Sequence, residues 1–148
     1  MTLDRAAAEK AAVELIRQSP LHRSWSHEAF RRCIGAAIDT EQYLILFEYI
    51  RPVAFLSWGW LCPGKAAEYT AGTHRFRPAD FLYTDPEDQL WFIDLIAPFG
   101  HAMRICRLAQ EIVGAMARER GIPLARMIRQ RTPRRIGIFS TAERKRRV

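Results

Sequence analysis

His22 sits in a short connector fenced by Pro20 and Trp25, where an imidazole is held by its neighbours yet reachable. With a reference pKa of about 6.5 it can take up or release a proton near neutral pH. Asp94 interrupts Trp91-Phe-Ile-Asp-Leu-Ile-Ala97, a run otherwise apolar on both faces. A buried carboxylate without a partner costs several kcal/mol, so an amide, an arginine or an imidazole must compensate it. Taken singly, His22 is more often a satisfied structural histidine than a catalyst, while Asp94 is as readily structural as catalytic. His27 falls in the first turn of a helix and His74 in a basic, irregular stretch, so surface placement is expected for both. His101 stands where a helix begins, and a structural role is favoured there over anion binding. Cys33, Cys62 and Cys106 are widely spaced, odd in number and free of any C-x-x-C pair. They read as core or partly buried thiols in a reducing compartment, with no structural zinc and no other metal site.

Around these residues the chain switches period several times. Residues 4–18 carry an apolar stripe of Ala8, Ala12, Leu15 and Ile16, and Ser19-Pro20 should end that helix. Ser26 is placed to cap a second helix running to about Ala37, with Phe30, Cys33, Ile34 and Ala37 inward. Residues 43–47 and 52–58 read as a β-hairpin, and residues 62–89 as irregular structure with a short helix near Ala66. Leu90 to Ile96 is an almost wholly apolar strand and therefore central in the sheet. A helix from about Ala102 to Arg120 should turn Ile105, Leu108, Ala109, Ile112, Val113 and Met116 inward and end at Gly121. Two strands, 124–128 and 136–139, follow. The strand–helix–strand unit at 90–130 implies a right-handed parallel crossover. The expected fold is α/β: one domain, residues 1–148, with a mixed sheet flanked by helices.

The net charge of +7 is unevenly distributed. Residues 118–148 hold eleven arginines and lysines against two glutamates, a local +9, while the rest of the chain is slightly acidic. A basic segment of this kind suits an acidic partner, whether protein, nucleic acid or lipid, or a solvated surface. No run approaches the ~20 apolar residues of a spanning helix. With no apolar leader after Met1 either, a cytoplasmic chain without stable membrane insertion is expected. Nucleotide-binding glycine motifs, H-E-x-x-H and G-x-S-x-G are absent from the sequence, which disfavours NTP hydrolysis, metalloprotease and α/β-hydrolase chemistry.

Three blocks, Ser19-Pro-Leu-His-Arg-Ser-Trp25, Pro52-Val-Ala-Phe-Leu-Ser-Trp58 and Leu90-Trp-Phe-Ile-Asp-Leu-Ile-Ala-Pro-Phe-Gly100, occur in this order and spacing. Together they resemble the RTX toxin-activating lysine acyltransferases, the haemolysin-activator family. The chain departs from that pattern at Ser26, where the family usually has proline, and at Leu95, where it usually has tryptophan. The resemblance implies a GNAT-like fold and transfer of a fatty acyl group to the ε-amine of an internal lysine in a protoxin or other polypeptide. It implies an acyl-acyl-carrier-protein donor and no bound cofactor. His22 corresponds to the family's catalytic histidine and Asp94 to its catalytic aspartate, with Ser19 and Arg23 in support.

Such a reaction needs a base. A lysine amine with a pKa of about 10.4 is a free nucleophile in only about one molecule in a few thousand at pH 7, a deficit of roughly 4.6 kcal/mol. His22 would remove that proton while Asp94 orients the ring and stabilises the imidazolium. Trp58, Trp91, Pro98, Phe99 and Gly100 are the expected acyl-chain and donor residues, with amides at 97–101 facing the developing oxyanion. Arg126, Arg129, Arg131, Arg134 and Arg135 are expected to steer the acidic carrier protein, and a homodimer is admitted. The rival readings are a GNAT-like N-acyltransferase using acyl-coenzyme A on a small amine or peptide, and a non-enzymatic basic module binding nucleic acid. The favoured reading carries no nucleic-acid partner.

Overall fold

A computed structural model describes residues 3–129 and 135–142. Helix α1 (Arg5–Gln18) starts where the Asp4 carboxylate accepts the Ala7 N–H at 2.7 Å and stops at extended Ser19, ahead of Pro20. Its stripe of Ala8, Ala12, Leu15 and Ile16 is buried as its spacing requires. A turn over residues 20–24 leads to Ser26, whose hydroxyl accepts the Ala29 N–H at 3.1 Å. The helical segment that follows is built of α2 (His27–Phe30), a π-helical turn (Arg31–Gly35) and α3 (Ala36–Asp39).

Strands β1 (Tyr43–Glu48) and β2 (Arg51–Leu61) form the expected hairpin, closed by the Glu48 and Arg51 pair. Helix α4 (Pro63–Ala71) has proline in its first turn and ends on Gly72, whose φ of 83° suits a residue without a Cβ. After it come a 3-10 turn (Pro78–Phe81), β3 (Gln89–Ile96), α5 (Ala102–Glu119), β4 (Leu124–Arg129) and β5 (Arg135–Ser140). The sheet order is β1-β2-β3-β4-β5, with β3 at its centre. β3 and β4 are parallel and the other neighbours antiparallel, as a strand–helix–strand crossover through α5 demands. The fold is thus a mixed five-stranded α/β sheet flanked by helices, in keeping with the GNAT-like expectation.

The two faces of the sheet have separate cores. One face packs α1 and the 27–39 segment through Leu15, Ile34, Phe55 and Ile96, with α4 beside them through Ala66 and Trp91. The other packs α5 through Ile105, Ala109, Val113 and Ala117 against Ala54, Leu56, Trp58, Leu90 and Phe92. The inward stripe of α5 differs from the expected one at Ile112, which is 48% exposed. Gly114 and Ala117 are buried instead, because small residues let the helix lie close. Cys33 is buried and Cys62 and Cys106 are half-buried, all as free thiols.

A single extra residue in β3 sets the direction of the key acid. Leu56 pairs with Leu95 and Trp58 with Phe92, so Ser57 alone stands opposite both Ile93 and Asp94. This is a β-bulge. Strict alternation from Leu90 and Phe92 would send Asp94 to the α5 face. The bulge turns it to the opposite face, where Ser57 Oγ accepts the Asp94 N–H at 3.3 Å.

Candidate active site

The turn after α1 and the bulge in β3 meet on that face. His22 Nε2 lies 4.0 Å from Asp94 Oδ1, although the residues are 72 positions apart. Both are buried, His22 to 8% exposure and Asp94 to 9%. The ring is fixed on two further sides. Ser19 Oγ is 2.7 Å from His22 Nδ1, and the Trp25 indole stacks at a tilt with centroids 4.9 Å apart. The backbone closes around it: the His22 and Arg23 N–H groups donate to the Ser19 carbonyl, and the Trp25 N–H donates to that of His22.

Two consequences follow from these positions. Because Ser19 occupies Nδ1, the tautomer able to act as a base has Nδ1–H donating to Ser19 Oγ and an Nε2 lone pair aimed at Asp94. And 4.0 Å exceeds a hydrogen bond, so Asp94 does not itself fill the Nε2 site. An amine nitrogen in that gap can lie about 2.8 Å from both atoms. Burial pushes the His22 pKa below its ordinary value, which keeps the imidazole neutral near pH 7. Burial raises Asp94 to about 7, with Arg32 pulling the other way. Asp94 Oδ2 has no partner among the described residues.

The other expected site residues are dispersed. Ser19 is in contact with the histidine, whereas Arg23 is exposed. Trp58 faces α5, on the far side of the sheet from Asp94, and is core rather than cavity lining. Trp91 shares the Asp94 face but is buried among Cys33, Leu61, Ala66 and Phe76. Pro98, Phe99 and Gly100 form the turn after β3, with Gly100 at φ 91°. Phe99 lies under the Arg51 guanidinium at 4.4 Å and lines, with Leu15, Gln18 and Pro52, a groove of about 430 Å³. Of the amides at 97–101, that of Gly100 already donates to the Ala97 carbonyl at 3.4 Å. Arg126 is half-buried in β4, in register with Trp91 of β3. Arg131 and Arg134 lie outside the described residues, and for Arg129 and Arg135 only the strand backbone is described.

Two placements run against the sequence reading or escape it. His74 is not on the surface: its side chain is 6% exposed and its Nε2 is 2.8 Å from Asp80 Oδ2. Asp80 also accepts the Arg77 N–H at 2.9 Å and lies 3.3 Å from Lys65 Nζ, so it ties the 72–81 segment to α4. Arg32 was not singled out by the sequence at all, being one of two adjacent arginines in a helix. It lies in the π-turn with Nη1 3.0 Å from Glu28 Oε1, and its charge acts on Asp94 against the effect of burial. His101 is structural as expected, with Nε2 2.8 Å from Glu48 Oε1. Among the described residues no cluster of metal-ligating side chains occurs, and no helix is long and apolar enough to cross a membrane.

The model of the RTX toxin acyltransferase family matches residues 3–131. A leukotoxin-activating lysine-acyltransferase, LktC, of a Pasteurella haemolytica-like species is 34% identical over 94 residues, 64% of this chain and 55% of that protein. The RTX-II toxin-activating lysine-acyltransferase ApxIIC of Actinobacillus pleuropneumoniae is 37% identical over 82 residues, 55% of this chain and 49% of its own length. The protein-lysine myristoyltransferase HlyC of Escherichia coli is likewise 37% identical over 82 residues, 55% of this chain and 46% of its own. The chain thus spans about half the length of the curated relatives it matches.

Proposed function

The chain belongs to the RTX toxin acyltransferase family, and from that premise we propose that it is a protein-lysine fatty acyltransferase. It moves an acyl chain from an acyl-acyl-carrier-protein thioester to the ε-amine of an internal lysine in a protoxin or another polypeptide. The observation that carries this reading is the 4.0 Å separation of His22 Nε2 and Asp94 Oδ1 with Ser19 holding the other ring nitrogen.

In this mechanism the lysine amine enters the gap between imidazole and carboxylate. His22 Nε2 takes its proton as the nitrogen attacks the thioester carbonyl. The Asp94 carboxylate, facing the same nitrogen, stabilises the imidazolium that results. The proton then passes to the departing thiolate, and an amide and a free thiol remain. Burial assists twice: it keeps His22 neutral before the step, and it strengthens the attraction between the charges formed in it. β3 and β4 pair from Leu90 and Ala125 to Phe92 and Met127, two residues short of Asp94.

The test is incubation of the purified protein with acyl-acyl-carrier-protein and a lysine-bearing acceptor polypeptide, read by mass spectrometry of the acceptor. A parallel arm supplies acyl-coenzyme A. Acylation from the carrier protein, lost in His22→Ala, supports the reading. Transfer from coenzyme A alone replaces the donor, and transfer that survives His22→Ala overturns the mechanism.

A further inference from the structure

The β1–β2 hairpin departs from the usual chemistry of a tight turn. Glu48 pairs with Arg51, so Tyr49 and Ile50 alone make the connection, and Tyr49 sits at φ 56°. Glycine, asparagine or aspartate holds such a position at least cost. A bulky aromatic there is strained, and its side chain stands free of the described residues: Tyr49 and Ile50 are 102% and 94% exposed. Two large apolar side chains thus project from a point where small polar ones would serve the fold better. Local conflicts of this kind concentrate at functional surfaces.

The tip is held at both legs. Below Tyr49, Glu48 Oε1 is 2.8 Å from His101 Nε2 and 3.7 Å from Arg104 Nη1. Below Ile50, the Arg51 guanidinium lies over the Phe99 ring at 4.4 Å. These contacts set the hairpin against the turn after β3 and the first turn of α5. Exposed Met103 adjoins Arg104, and Arg17 shares the groove of Arg51 and Phe99. The result is an apolar projection with arginines around its base. The acids beside it are Glu48, which His101 and Arg104 engage, and Glu14 on the groove wall.

We propose that this hairpin tip is a docking surface for an anionic lipid membrane, with Tyr49 and Ile50 entering the headgroup layer and Arg17, Arg51 and Arg104 meeting lipid phosphates. The inference goes beyond the acyl-transfer reading and does not depend on it. Side chains this far out of the chain would need a pocket apiece in a protein partner, whereas the interfacial layer of a bilayer takes a convex tip without one. Tyrosine suits that depth, with an apolar ring and a polar hydroxyl. Arginine reaches phosphate while its stem stays among apolar groups. Two apolar side chains and a few cations give reversible attachment rather than insertion. That agrees with the absence, among the described residues, of a helix able to cross a membrane.

The experiment floats the full chain with vesicles of phosphatidylcholine alone or mixed with phosphatidylglycerol. Binding should require the phosphatidylglycerol and weaken as salt rises. Tyr49→Gly with Ile50→Ser gives the turn the residues its geometry prefers, so this variant should melt no lower than the unsubstituted chain. Its vesicle affinity should nevertheless fall about tenfold or more. Should it melt lower, Ile50→Ser alone is read in its place. Arg51→Gln with Arg104→Gln should also weaken binding and flatten its salt dependence. The basic segment 118–148 is intact in every variant, so any attraction it supplies is common to all the proteins compared. Equal binding to the two vesicle types, no binding to either, or affinity unchanged in the tip variant overturns the proposal. So does gel filtration in which the unsubstituted chain is a dimer and the tip variant a monomer, which would give the surface to a second copy. Flotation uses neither donor nor acceptor, so its failure and that of the proposed acyl transfer are told apart.

Discussion

The Asp94 N–H donates to Ser57 Oγ at 3.3 Å inside the sheet, because Asp94 is the extra residue of a bulge and Ser57 is the residue it bulges against. The bulge leaves one amide out of the strand ladder, and the serine hydroxyl takes it up. Ser57→Ala therefore strands a buried donor, and unfolding in urea should show a loss of about 1–3 kcal/mol. Acyl transfer should fall as well, since the bulge is what turns Asp94 from the α5 face to His22. A variant as stable and as active as the unsubstituted chain would remove Ser57 from this role.

The raised pKa of Asp94 makes its burial a pH-dependent cost. Its folded-state value of about 7 stands above the ordinary 3.8, so between those limits the folded chain binds more protons than the unfolded one. Stability then falls as pH rises through that window, and the full cost, of order 4 kcal/mol, is present above it. Asp94→Asn removes the ionisation. The stability difference between this variant and the unsubstituted chain should move in favour of asparagine from pH 4 to pH 7 and level off at higher pH. Urea midpoints at four or five pH values decide it; a difference independent of pH would mean that the carboxyl is not desolvated as described. His22 has the opposite sign, because its lowered pKa withdraws stability only as pH drops below about 6.5.

Much of this arrangement was legible in the residues, and the part that was not has a common cause. Ser26 and Gly121 marked helix ends by their capping chemistry, Ser19-Pro20 marked the end of the first helix, and the apolar run at 90–96 marked the central strand. The bulge at Asp94 and the π-turn at Arg31–Gly35 are single-residue insertions in otherwise regular elements. Neither changes composition or turn chemistry, yet each decides which face a side chain takes. For that reason the acid could be noticed, but its meeting with His22 rested on the resemblance, and Arg32 was passed over. Ile112 was misplaced because hydrophobicity alone does not reveal where a helix must lie close, which Gly114 and Ala117 permit. His74 was assigned to the surface from its basic neighbours, and its partner Asp80 is reached only through the tertiary fold.

Ser19 fixes which ring nitrogen of His22 is free. Ser19→Ala removes the 2.7 Å contact at Nδ1, so the ring loses the bond that holds its Nε2 toward Asp94 and can turn away from the acid. The loss of one bond worth about 1.4 kcal/mol corresponds to roughly tenfold in rate. His22→Ala should instead cost on the order of a hundredfold or more. Both variants should bind the donor as the parent does. The expected ordering, measured as acylated acceptor per minute, is parent, Ser19→Ala, then His22→Ala; a serine variant as inactive as the alanine at 22 would point to a covalent part for Ser19.

The second histidine–carboxylate pair separates structural from catalytic chemistry. His74 and Asp80 are closer than His22 and Asp94, at 2.8 Å against 4.0 Å, and Asp80 also takes the Arg77 N–H and the Lys65 ammonium. With its bonds satisfied from within, this pair has no open position for a substrate. Removing Asp80 leaves the Arg77 N–H and the buried His74 ring without this partner, so Asp80→Ala should lower stability by about 1–3 kcal/mol. His74→Gln, which keeps a donor within reach of Asp80, should cost far less and leave acyl transfer per folded molecule unchanged. Turnover normalised to the folded fraction, read from circular dichroism on the same sample, is the measurement. A fall in normalised turnover of tenfold or more in His74→Gln would give this pair a part in the reaction that its closed geometry argues against.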